Sequence, residues 1–252
     1  KSFSKDVALI KEIGILPIVV HGGGPQIGEM LKKKNIKSKF IEGLRVTDKE
    51  TVKIVEEVLS KDINQKVVQA INKSGGKAIG LSGSINKLIE AKKLNFKYQE
   101  SDSNIEKILD LGFVGEPVNI NTQIINKVIR DGLIPVIAPL GVGSDNEIYN
   151  INADTAAGAI AGSIKASKLL LLTDVSGILD HKGKLISSMS LNQVKKIINE
   201  SFITGGMKPK ISTCIDSINK GVKQATILDG RIPHSLILEL FTEHGIGTQI
   251  YS

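Results

Sequence analysis

The sequence has no tryptophan, few aromatic residues and a single cysteine, and each of these shortages excludes a class of protein. Cys214 cannot form an internal disulfide, and a lone thiol is typical of the reducing cytoplasm. Aromatic residues make up 4% of the chain, and neither an RNP-like aromatic motif nor zinc-finger spacing occurs, which disfavours nucleic-acid binding. We therefore expect a cytoplasmic protein that binds no nucleic acid.

Long apolar runs are also absent from the sequence. No run reaches the roughly 20 residues that a membrane-spanning helix requires. Asp6 and Glu12 interrupt the N-terminal stretch, so we expect no signal peptide. With 41% hydrophobic residues in 252, the chain is too apolar for a disordered protein and long enough to bury a large core. These features predict a globular protein without a membrane partner.

The charge is unbalanced towards lysine and arginine. The chain has 33 basic and 26 acidic residues, a formal net charge of +7 and a pI near 9.3. Such a balance suits anionic partners. Because the lysines are scattered and nucleic acid is disfavoured, the composition favours a small ligand that carries phosphate or carboxylate groups.

Strand-like and helix-like segments alternate along nearly the whole chain, which predicts parallel βαβ units in a layered α/β fold. The predicted strands cover residues 15–20, 78–81, 133–138, 169–172, 225–228 and 248–251. Helices are predicted from residue 25 onwards and over 52–71, 124–129, 153–164, 191–199, 210–220 and 234–241. Thr47 and Glu50 predict a capping box at the start of the long second helix, and Gly75 and Gly76 predict its end. Residues 88–120 read as a hairpin with a variable loop around 100–104, and a soft lobe boundary is expected near 143–146.

Three consecutive glycines follow the first predicted strand in the segment HGGG, residues 21–24. Glycines let the backbone approach a ligand, and free N–H groups beside a helix start suit anionic oxygens. Pro25 fits the first turn of that helix. The alternative is a tight turn, which needs fewer glycines. Neither G-x-G-x-x-G nor a P-loop is present, since Ile27 occupies the position of the third glycine.

Two further segments carry candidate binding residues. In GLRVTD, Arg45 precedes a helix start and can grip a carboxylate with two N–H groups, although a surface arginine is the alternative. In YNINADTAAG, Asn150, Asn152 and Asp154 alternate, so an extended segment would direct all three to one side. For Asp154 the alternative is an N-cap of the next helix.

The C-terminal half supplies an acidic and a basic candidate. Asp174 follows the strand LLLL, and ligands of open α/β sheets bind beyond the carboxyl ends of strands. Lys210, in TGGMKPK, adds positive charge at a helix start. A capped turn and a solvated lysine are the respective alternatives. His21 is interpreted as structural and Cys214 as part of the core, and no metal-ligand cluster is found.

In their order along the chain these motifs resemble the amino acid kinase family. The resemblance rests on VVHGGGPQI, GLRVTD, YNINADTAAG, LLTDVSGILD, TGGMKPK and DGRIPHSLILELFTEHGIGT. It implies a three-layer α/β/α sandwich with a mainly parallel central sheet. An N-terminal lobe, residues 1–145, would bind an acyl amino acid, and a C-terminal lobe, 146–252, would bind ATP with Mg²⁺. The implied reaction is ATP-dependent phosphorylation of the side-chain carboxylate of N-acetyl-L-glutamate, in arginine biosynthesis.

The resemblance also implies roles for individual residues. Lys210 and Asp154 match catalytic positions. The positions that match binding of the acyl amino acid are Gly23, Gly24, Arg45, Asn150 and Asn152. The positions that match nucleotide binding are Asp174, Val175, Ser176, Gly177, Ile178, Leu179, Gly206 and Met207. The accepting carboxylate has a reference pKa of about 4.3 and is already ionised at neutral pH, which explains why no general base is found.

The resemblance also implies an upstream segment, an effector site and an oligomeric state. The family begins with a strand that carries a Lys and a Gly-Gly loop, and since no counterpart precedes residue 1 we expect these upstream. Glu239 and Gly245 match an arginine effector site in which Thr226 replaces the usual His. A homo-oligomer, dimer or hexamer, is expected. The alternatives in function are a kinase for another amino-acid carboxylate and an inactive amino-acid-sensing module.

Overall fold

The computed structural model describes residues 2–41, 43–99, 106–203 and 205–252, which form alternating helices and strands. The helices are α1 (Ser2–Glu12), α2 (Gly24–Lys33), α3 (Lys49–Glu57), α4 (Asn64–Lys73), α5 (Thr122–Arg130), α6 (Ala153–Ser163), α7 (Leu191–Ile197), α8 (Met207–Asn219) and α9 (Ser235–Phe241). The strands are β1 (Val19–Val20), β2 (Phe40–Ile41), β3 (Leu44–Arg45), β4 (Ala78–Ser82), β5 (Ile89–Gln99), β6 (Glu106–Ile120), β7 (Ile134–Ala138), β8 (Leu140–Val142), β9 (Ile148–Ile151), β10 (Lys168–Thr173), β11 (Ser188–Ser190), β12 (Gln224–Asp229) and β13 (Thr248–Tyr251).

A parallel sheet in the order β1-β7-β4 forms the centre of the N-terminal half. Every residue of β7 is buried, as expected of a strand covered on both faces. Because the three strands run in the same direction, their carboxyl ends meet at one edge. The glycine loop leaves the sheet at that edge, directly after β1.

A second sheet in the order β10-β12-β13-β11 forms the centre of the C-terminal half. Strands β10 and β12 are parallel and end together, with Thr173 opposite Asp229. A hydrophobic cluster that includes Leu171, Ile227 and Ile211 packs α8 against this sheet. A third unit is a closed four-stranded barrel of β5, β6, β9 and β8.

The predicted α/β/α fold with a mainly parallel central sheet is confirmed. The described strands are divided among the three-stranded sheet, the four-stranded sheet, in which only β12 and β13 are antiparallel, the two-stranded sheet β2-β3 and the barrel. A cluster of Val19, Val136 and Leu236 packs with Leu170 and Leu172 of β10 and thereby joins the two sheets. The predicted hairpin is β5 and β6, and the loop expected around 100–104 lies outside the described residues. None of the helices in the described part of the chain has the length and hydropathy of a membrane span.

The first predicted strand is shorter than its apolar run indicates. Residues 15–20 were expected to form a buried strand, but only Val19 and Val20 pair, and Ile15 and Leu16 are exposed. Pro17 lacks an N–H donor, and β1 is paired with β7 alone. An apolar run by itself therefore overestimated the strand.

The predicted long helix is confirmed over residues 49–73, but its start and its middle differ from expectation. The predicted Thr47–Glu50 capping box is wrong, since Asp48 is the N-cap and accepts a hydrogen bond from the N–H of Thr51 at 2.8 Å. The Thr47 hydroxyl donates instead to the carbonyl of Arg45. Between α3 and α4 the chain forms a π-helical turn, Val58–Ile63. Turns of this kind change the phase of the following helix and occur often at functional sites.

Candidate active site

The glycine loop connects β1 to α2 and exposes its backbone on one side only. A Cβ atom at Gly23 would lie 2.5 Å from Ile63 Cδ1 and 2.7 Å from Leu59 Cδ2, whereas a Cβ at Gly24 would meet nothing within 4 Å. Gly23 is thus required by packing against the π-helical turn, and Gly24 faces open space. Among the described residues the N–H groups of Gly23 and Gly24 have no hydrogen-bond acceptor. They are therefore free to bind an anionic ligand at the start of α2.

His21 is buried beneath this loop, in agreement with the structural role that was predicted for it. Its Nε2 accepts from Asn64 Nδ2 at 3.1 Å, and its Nδ1 lies 3.0 Å from the carbonyl oxygen of Gly22. Burial lowers the pKa of His21, and the Gly22 carbonyl opposes that shift only in part. The imidazole is therefore neutral at physiological pH.

Arg45 is 7% exposed, so the interpretation as a surface arginine is wrong. Its Nη2 donates to the carbonyl of Gly24 at 2.9 Å, and its Nη1 donates to the hydroxyl of Ser38. The guanidinium stacks over the ring of Phe40, 4.5 Å from the centroid. Desolvation lowers the pKa of Arg45, and no carboxylate pairs with it in the part of the chain that the structure describes. An anionic ligand would therefore satisfy a desolvated charge next to the glycine loop.

The two asparagines of the NINAD segment have different structural roles. Asn150 lies on β9 and donates through Nδ2 to the Thr47 hydroxyl at 3.4 Å. Asn152 is the N-cap of α6, and its Oδ1 accepts from the N–H groups of Asp154 at 2.9 Å and Thr155 at 3.1 Å. The predicted extended alternation through Asp154 is wrong, because the helix begins at Ala153. The N-cap alternative for Asp154 is wrong as well, and its carboxylate is free for another partner.

That partner is Lys210, whose Nζ lies 2.7 Å from Asp154 Oδ2. Lys210 is in the first turn of α8, which begins at Met207, three residues before the predicted start. The side chains of Lys210 and Asp154 are 17% and 24% exposed, so a solvated lysine is excluded. The pair keeps the ammonium charge at the edge of the site in a fixed position.

Glycines on α6 allow the two helices to approach closely enough for this pair. A Cβ at Gly158 would lie 2.6 Å from Thr213 Cγ2, and a Cβ at Gly162 would lie 2.9 Å from Lys220 Cβ. Cys214 lies in the same interface and is fully buried, as predicted. Burial raises the pKa of its thiol to about 12, and the nearby Asp154 carboxylate adds to the increase.

The predicted nucleotide segment divides into an open and a buried part. Asp174 follows β10 and accepts from the Thr173 hydroxyl at 3.3 Å, and Val175 and Leu179 are exposed. Gly177 has φ +146°, and a Cβ there would lie 2.6 Å from Thr248 Oγ1. The side chain of Ile178 is in the core, and its N–H donates to the Thr248 hydroxyl at 2.8 Å. Ser176 is half-buried between these two parts.

The start of α8 contributes the remaining predicted nucleotide residues. Gly206 is the residue before the helix, and a Cβ there would meet nothing within 4 Å. Met207 is half-buried and packs against the core of the second sheet. Thr204, the first residue of TGGMKPK, lies outside the described residues.

An arginine–aspartate pair at the same edge was not predicted from the sequence. Arg231 donates to Asp229 through Nε at 3.0 Å and through Nη2 at 2.8 Å. The pair lies at the C-terminal end of β12. The hydrogen bond and charge of Asp229 raise the pKa of Arg231, and the charge of Asp174 adds to the increase. The sequence signal for this pair is DGR, residues 229–231, which directly follows a predicted strand. The ends of neighbouring parallel strands meet at one edge, and here Asp229 lies opposite Thr173.

The candidate residues of the two halves lie close to each other around the glycine loop. The Arg45 guanidinium contacts Gly24, and a Cβ at Gly22 would lie 3.8 Å from that of Ala153, the neighbour of Asp154. Asp154 then pairs with Lys210. The described residues contain no group of three or more His, Cys, Asp or Glu side chains that could hold a metal ion. The arrangement presents cations and N–H donors to a ligand with several anionic groups.

A family model with the description "Amino acid kinase family" matches residues 1–229. The chain belongs to the amino acid kinase family. Among curated relatives of this family, the acetylglutamate kinase of Rhodospirillum centenum is 55% identical over 250 residues, which are 99% of this chain and 82% of that protein. The acetylglutamate kinase of Gluconobacter oxydans is 54% identical over 249 residues, 99% of this chain and 84% of that protein.

Solved structures show the same amino acid kinase fold. A protein of Streptococcus mutans has a TM-score of 0.80 and 29% identity, with 98% of this chain and 91% of that chain covered. N-acetylglutamate synthase of Neisseria gonorrhoeae, complexed with coenzyme A and N-acetyl-glutamate, has a TM-score of 0.84 and 23% identity, with 100% and 55% covered. Carbamate kinase of Giardia lamblia bound to AMP-PNP has a TM-score of 0.67 and 14% identity, with 99% and 89% covered. The last two support the fold alone.

Proposed function

We propose that this protein transfers the terminal phosphoryl group of ATP to the side-chain carboxylate of N-acetyl-L-glutamate, a step of arginine biosynthesis. The observation that carries the proposal is the Lys210–Asp154 pair, 2.7 Å apart, near the glycine loop that binds the guanidinium of Arg45, for which the described residues offer no carboxylate partner. The substrate is inferred from relatives named acetylglutamate kinase that are 55% and 54% identical to the chain. The product is N-acetylglutamyl 5-phosphate.

The acceptor binds at the glycine-loop edge, mainly to the lobe of residues 1–145. Arg45 is desolvated and has no carboxylate partner among the described residues. A substrate carboxylate would form an ion pair with its guanidinium. The free N–H groups of Gly23 and Gly24 supply further donors. Asn150, and the amide nitrogen of Asn152 that capping leaves free, supply donors from the other side.

The phosphoryl group is transferred by positioning and charge neutralisation. The attacking carboxylate is ionised at neutral pH, so no side chain needs to remove a proton. Lys210 stabilises the charge on the transferring group, and Asp154 keeps the ammonium in place. Holding the two reactants in line supplies the remaining acceleration.

ATP binds to the lobe of residues 146–252, against Asp174, Val175, Ser176, Gly177 and the open start of α8 at Gly206. Lys210 and the N–H groups at that helix start suit phosphate oxygens. Mg²⁺ that arrives with ATP supplies further neutralisation of phosphate charge. Mg²⁺ is usually held by one or two carboxylates together with phosphates, and the exposed carboxylate of Asp174 beyond β10 would suit that role without a dedicated cluster.

Arginine is proposed as an effector that binds near the C-terminal turn. The buried carboxylate of Glu239 accepts from the N–H groups of Ile246 at 2.9 Å and Gly247 at 3.2 Å, and no cation pairs with it in the described ranges. Gly245 has φ +61°, and a Cβ there would lie 2.5 Å from Glu239 Oε2. A guanidinium would supply the missing countercharge. Calorimetric titration of arginine into the protein and into Glu239→Gln tests this site, and equal binding would exclude it.

A cytoplasmic homo-oligomer, dimer or hexamer, is also proposed. Strand β4 is an edge of its sheet with an exposed Ile79, which favours pairing with a second copy. The lone thiol of Cys214 is free and buried, as suits a reducing compartment. Light scattering on the purified protein measures the mass, and a monomer at micromolar concentration would contradict the oligomer.

The experiment that tests the reaction is hydroxylamine trapping of the acyl phosphate. The full-length protein is given ATP and N-acetyl-L-glutamate, with glutamate and N-acetyl-aspartate as alternative acceptors. Lys210→Ala is compared with Lys208→Ala, because Lys208 lies in the same turn of α8 but is exposed. Product with N-acetylglutamate that is lost only in Lys210→Ala supports the proposal. Product with another carboxylate instead, or none from folded protein, overturns it.

A further inference from the structure

Asn64 is a buried polar residue that the proposed reaction does not use. It is the first residue of α4 and is 3% exposed. Its Nδ2 lies 3.1 Å from His21 Nε2, 2.9 Å from the carbonyl of Val136 and 3.4 Å from the carbonyl of Leu81. One amide group therefore joins the residue after β1 to the strands β7 and β4, directly beneath the glycine loop.

This contact determines the tautomer of His21. An amide nitrogen only donates hydrogen bonds, so Nε2 of the imidazole must be the unprotonated acceptor. The proton of the neutral ring is then on Nδ1, which donates to the carbonyl of Gly22 at 3.0 Å. His21 is the one buried histidine of the four in the chain, all of which lie in described ranges, and burial lowers its pKa.

The orientation of the Gly22–Gly23 peptide follows from that hydrogen bond. No peptide bond in the described residues is cis, and in a trans peptide the C=O and N–H groups point in opposite directions. Since the Gly22 carbonyl is held towards the imidazole, the N–H of Gly23 points away from it. That N–H has no acceptor among the described residues. That N–H is therefore available to a ligand.

The π-helical turn places Asn64 at this position. The turn ends at Ile63, and its residues Leu59 and Ile63 fill the space where Gly23 has no side chain. A Cβ at Gly80 would collide with Asn64 Oδ1, so β4 approaches the helix closely only because residue 80 is glycine. The side chain of Asn64 is thus held from two sides.

We infer that Asn64 is a positioning residue for the acceptor site, which keeps His21 in the Nδ1–H tautomer and thereby directs the Gly23 N–H at the substrate carboxylate. The inference rests on the proposed function for the identity of the substrate. It assigns Asn64 no contact with either substrate. Loss of the Asn64 donor should therefore raise the KM for N-acetylglutamate and leave the KM for ATP unchanged.

Charged side chains near His21 do not cause the shift of its pKa. The elements that contact His21 or the neighbouring glycines are α2, the π-helical turn, α4 and α6, and Asn64 connects them to β4 and β7. Their charged side chains are Glu29, Lys32, Lys33, Lys61, Asp62, Lys66, Lys73 and Asp154. None of these contributes to the lowered pKa of His21, whose causes are burial and the Gly22 carbonyl.

The first test measures the tautomer without any turnover. Nitrogen-15 NMR of the full-length, histidine-labelled protein distinguishes protonated from unprotonated ring nitrogens, and a His21→Gln sample assigns the signal. At pH 7.5 we expect a neutral His21 with the proton on Nδ1. A proton on Nε2, or a charged imidazole, overturns the inference whether or not the protein proves to be a kinase.

The second test uses Asn64→Asp, which replaces the donor with a carboxylate. The carboxylate raises the His21 pKa, and at low pH the doubly protonated ring still donates from Nδ1 to Gly22. As the pH rises through that pKa, the Nδ1 proton leaves, because Nε2–H is held by the carboxylate. The Gly22 carbonyl then faces a bare nitrogen, and we expect the KM for N-acetylglutamate to rise about tenfold from pH 6 to pH 9.

Asn72→Asp is the matched control, since Asn72 lies on the same helix and its exposed side chain bonds only the backbone of Ala78. The same KM profile in both variants overturns the inference, while turnover by the wild type shows that the proposed function holds. If Asn64→Asp does not fold, Asn64→Ala replaces it. In Asn64→Ala we expect mixed tautomers in the NMR spectrum and a raised acceptor KM at every pH, and an unchanged tautomer and KM overturns the inference.

Discussion

Lys210 Nζ lies 2.7 Å from Asp154 Oδ2, at the place where α8 packs against α6. The two residues come from different motifs, and each is only partly exposed. Asp154 is available because Asn152 caps α6 in its place. The pair therefore fixes a positive charge where the two halves of the chain meet.

Asp154→Asn should lower kcat by a factor of about 10²–10³, because Lys210, which we propose stabilises the transferring group, loses its charged partner. The KM for N-acetylglutamate should change little. Steady-state kinetics of the acyl phosphate reaction measure both quantities. Asp216→Asn, at an exposed position of α8, is the control and should keep full activity. Equal rates in the two variants would remove the assigned role of Asp154.

Gly158→Ala should destabilise the protein by about 1–3 kcal/mol, because the new methyl group would lie 2.6 Å from Thr213 Cγ2. Activity should fall as well, since the separation of α6 and α8 sets the Lys210–Asp154 distance. Urea unfolding measures the free energy. Adding Thr213→Ser removes the colliding methyl group and should restore most of the stability. Failure of this rescue would show that the helices do not meet at Gly158.

Arg45→Lys should raise the KM for N-acetylglutamate by about 10–100-fold, the equivalent of a lost charged hydrogen bond. Lysine keeps the charge but loses the planar fork and the stacking over Phe40. The KM for ATP should stay within twofold. Arg130→Lys, at an exposed position at the end of α5, should behave as the wild type. An unchanged acceptor KM in Arg45→Lys contradicts the proposed acceptor site.

Thr248→Val should cost about 1–3 kcal/mol and raise the KM for ATP, because the buried N–H of Ile178 loses its acceptor. Thr226→Val is the matched control. The Thr226 hydroxyl is equally buried but finds no hydrogen-bond partner among the described residues, so its replacement should be neutral or stabilising. Thermal unfolding compares the two variants. Similar losses in both would show that the Thr248 hydroxyl does not support the nucleotide segment.

Cys214 should not react with a water-soluble disulfide reagent in the folded protein at pH 8. Its thiol is fully buried and its pKa is raised to about 12, so the thiolate is both inaccessible and scarce. The absorbance change of the reagent follows the reaction, and protein in urea should react at the rate of a free thiol. Rapid labelling of the folded protein would contradict the packing of α8.

The alternation of apolar runs and helical periods was sufficient to predict most of the elements. A buried strand such as β7 and an amphipathic helix such as α5 differ in local period, and that period follows from the backbone geometry of each. The position of the glycine loop between β1 and α2 was predictable for the same reason. The family resemblance then indicated Lys210 and Asp154 through the order of their motifs.

Local patterns failed where hydrogen bonds compete. Thr47 and Asp48 are both residue types that favour the N-cap position. Asp48 is the N-cap of α3, because the Thr47 hydroxyl donates to the backbone carbonyl of Arg45 instead. The π-helical turn has no sequence signal of its own, so the direction of Asn64 was not predictable. Arg231 was not predicted as a site residue, because the position of its partner Asp229 opposite the end of β10 depends on the pairing of two strands that are distant in sequence.

The sequence by itself determined the fold class, the glycine loop and the types of side chain available for phosphoryl transfer, because these follow from interactions between near neighbours. The tertiary structure alone decided which of those side chains meet. His21 and Asn64 are 43 residues apart, and Asp154 and Lys210 are 56 apart. Their contacts depend on sheet order, on the phase of a helix after a π turn and on the missing side chains of Gly23 and Gly158, all of which are set by packing across the whole chain.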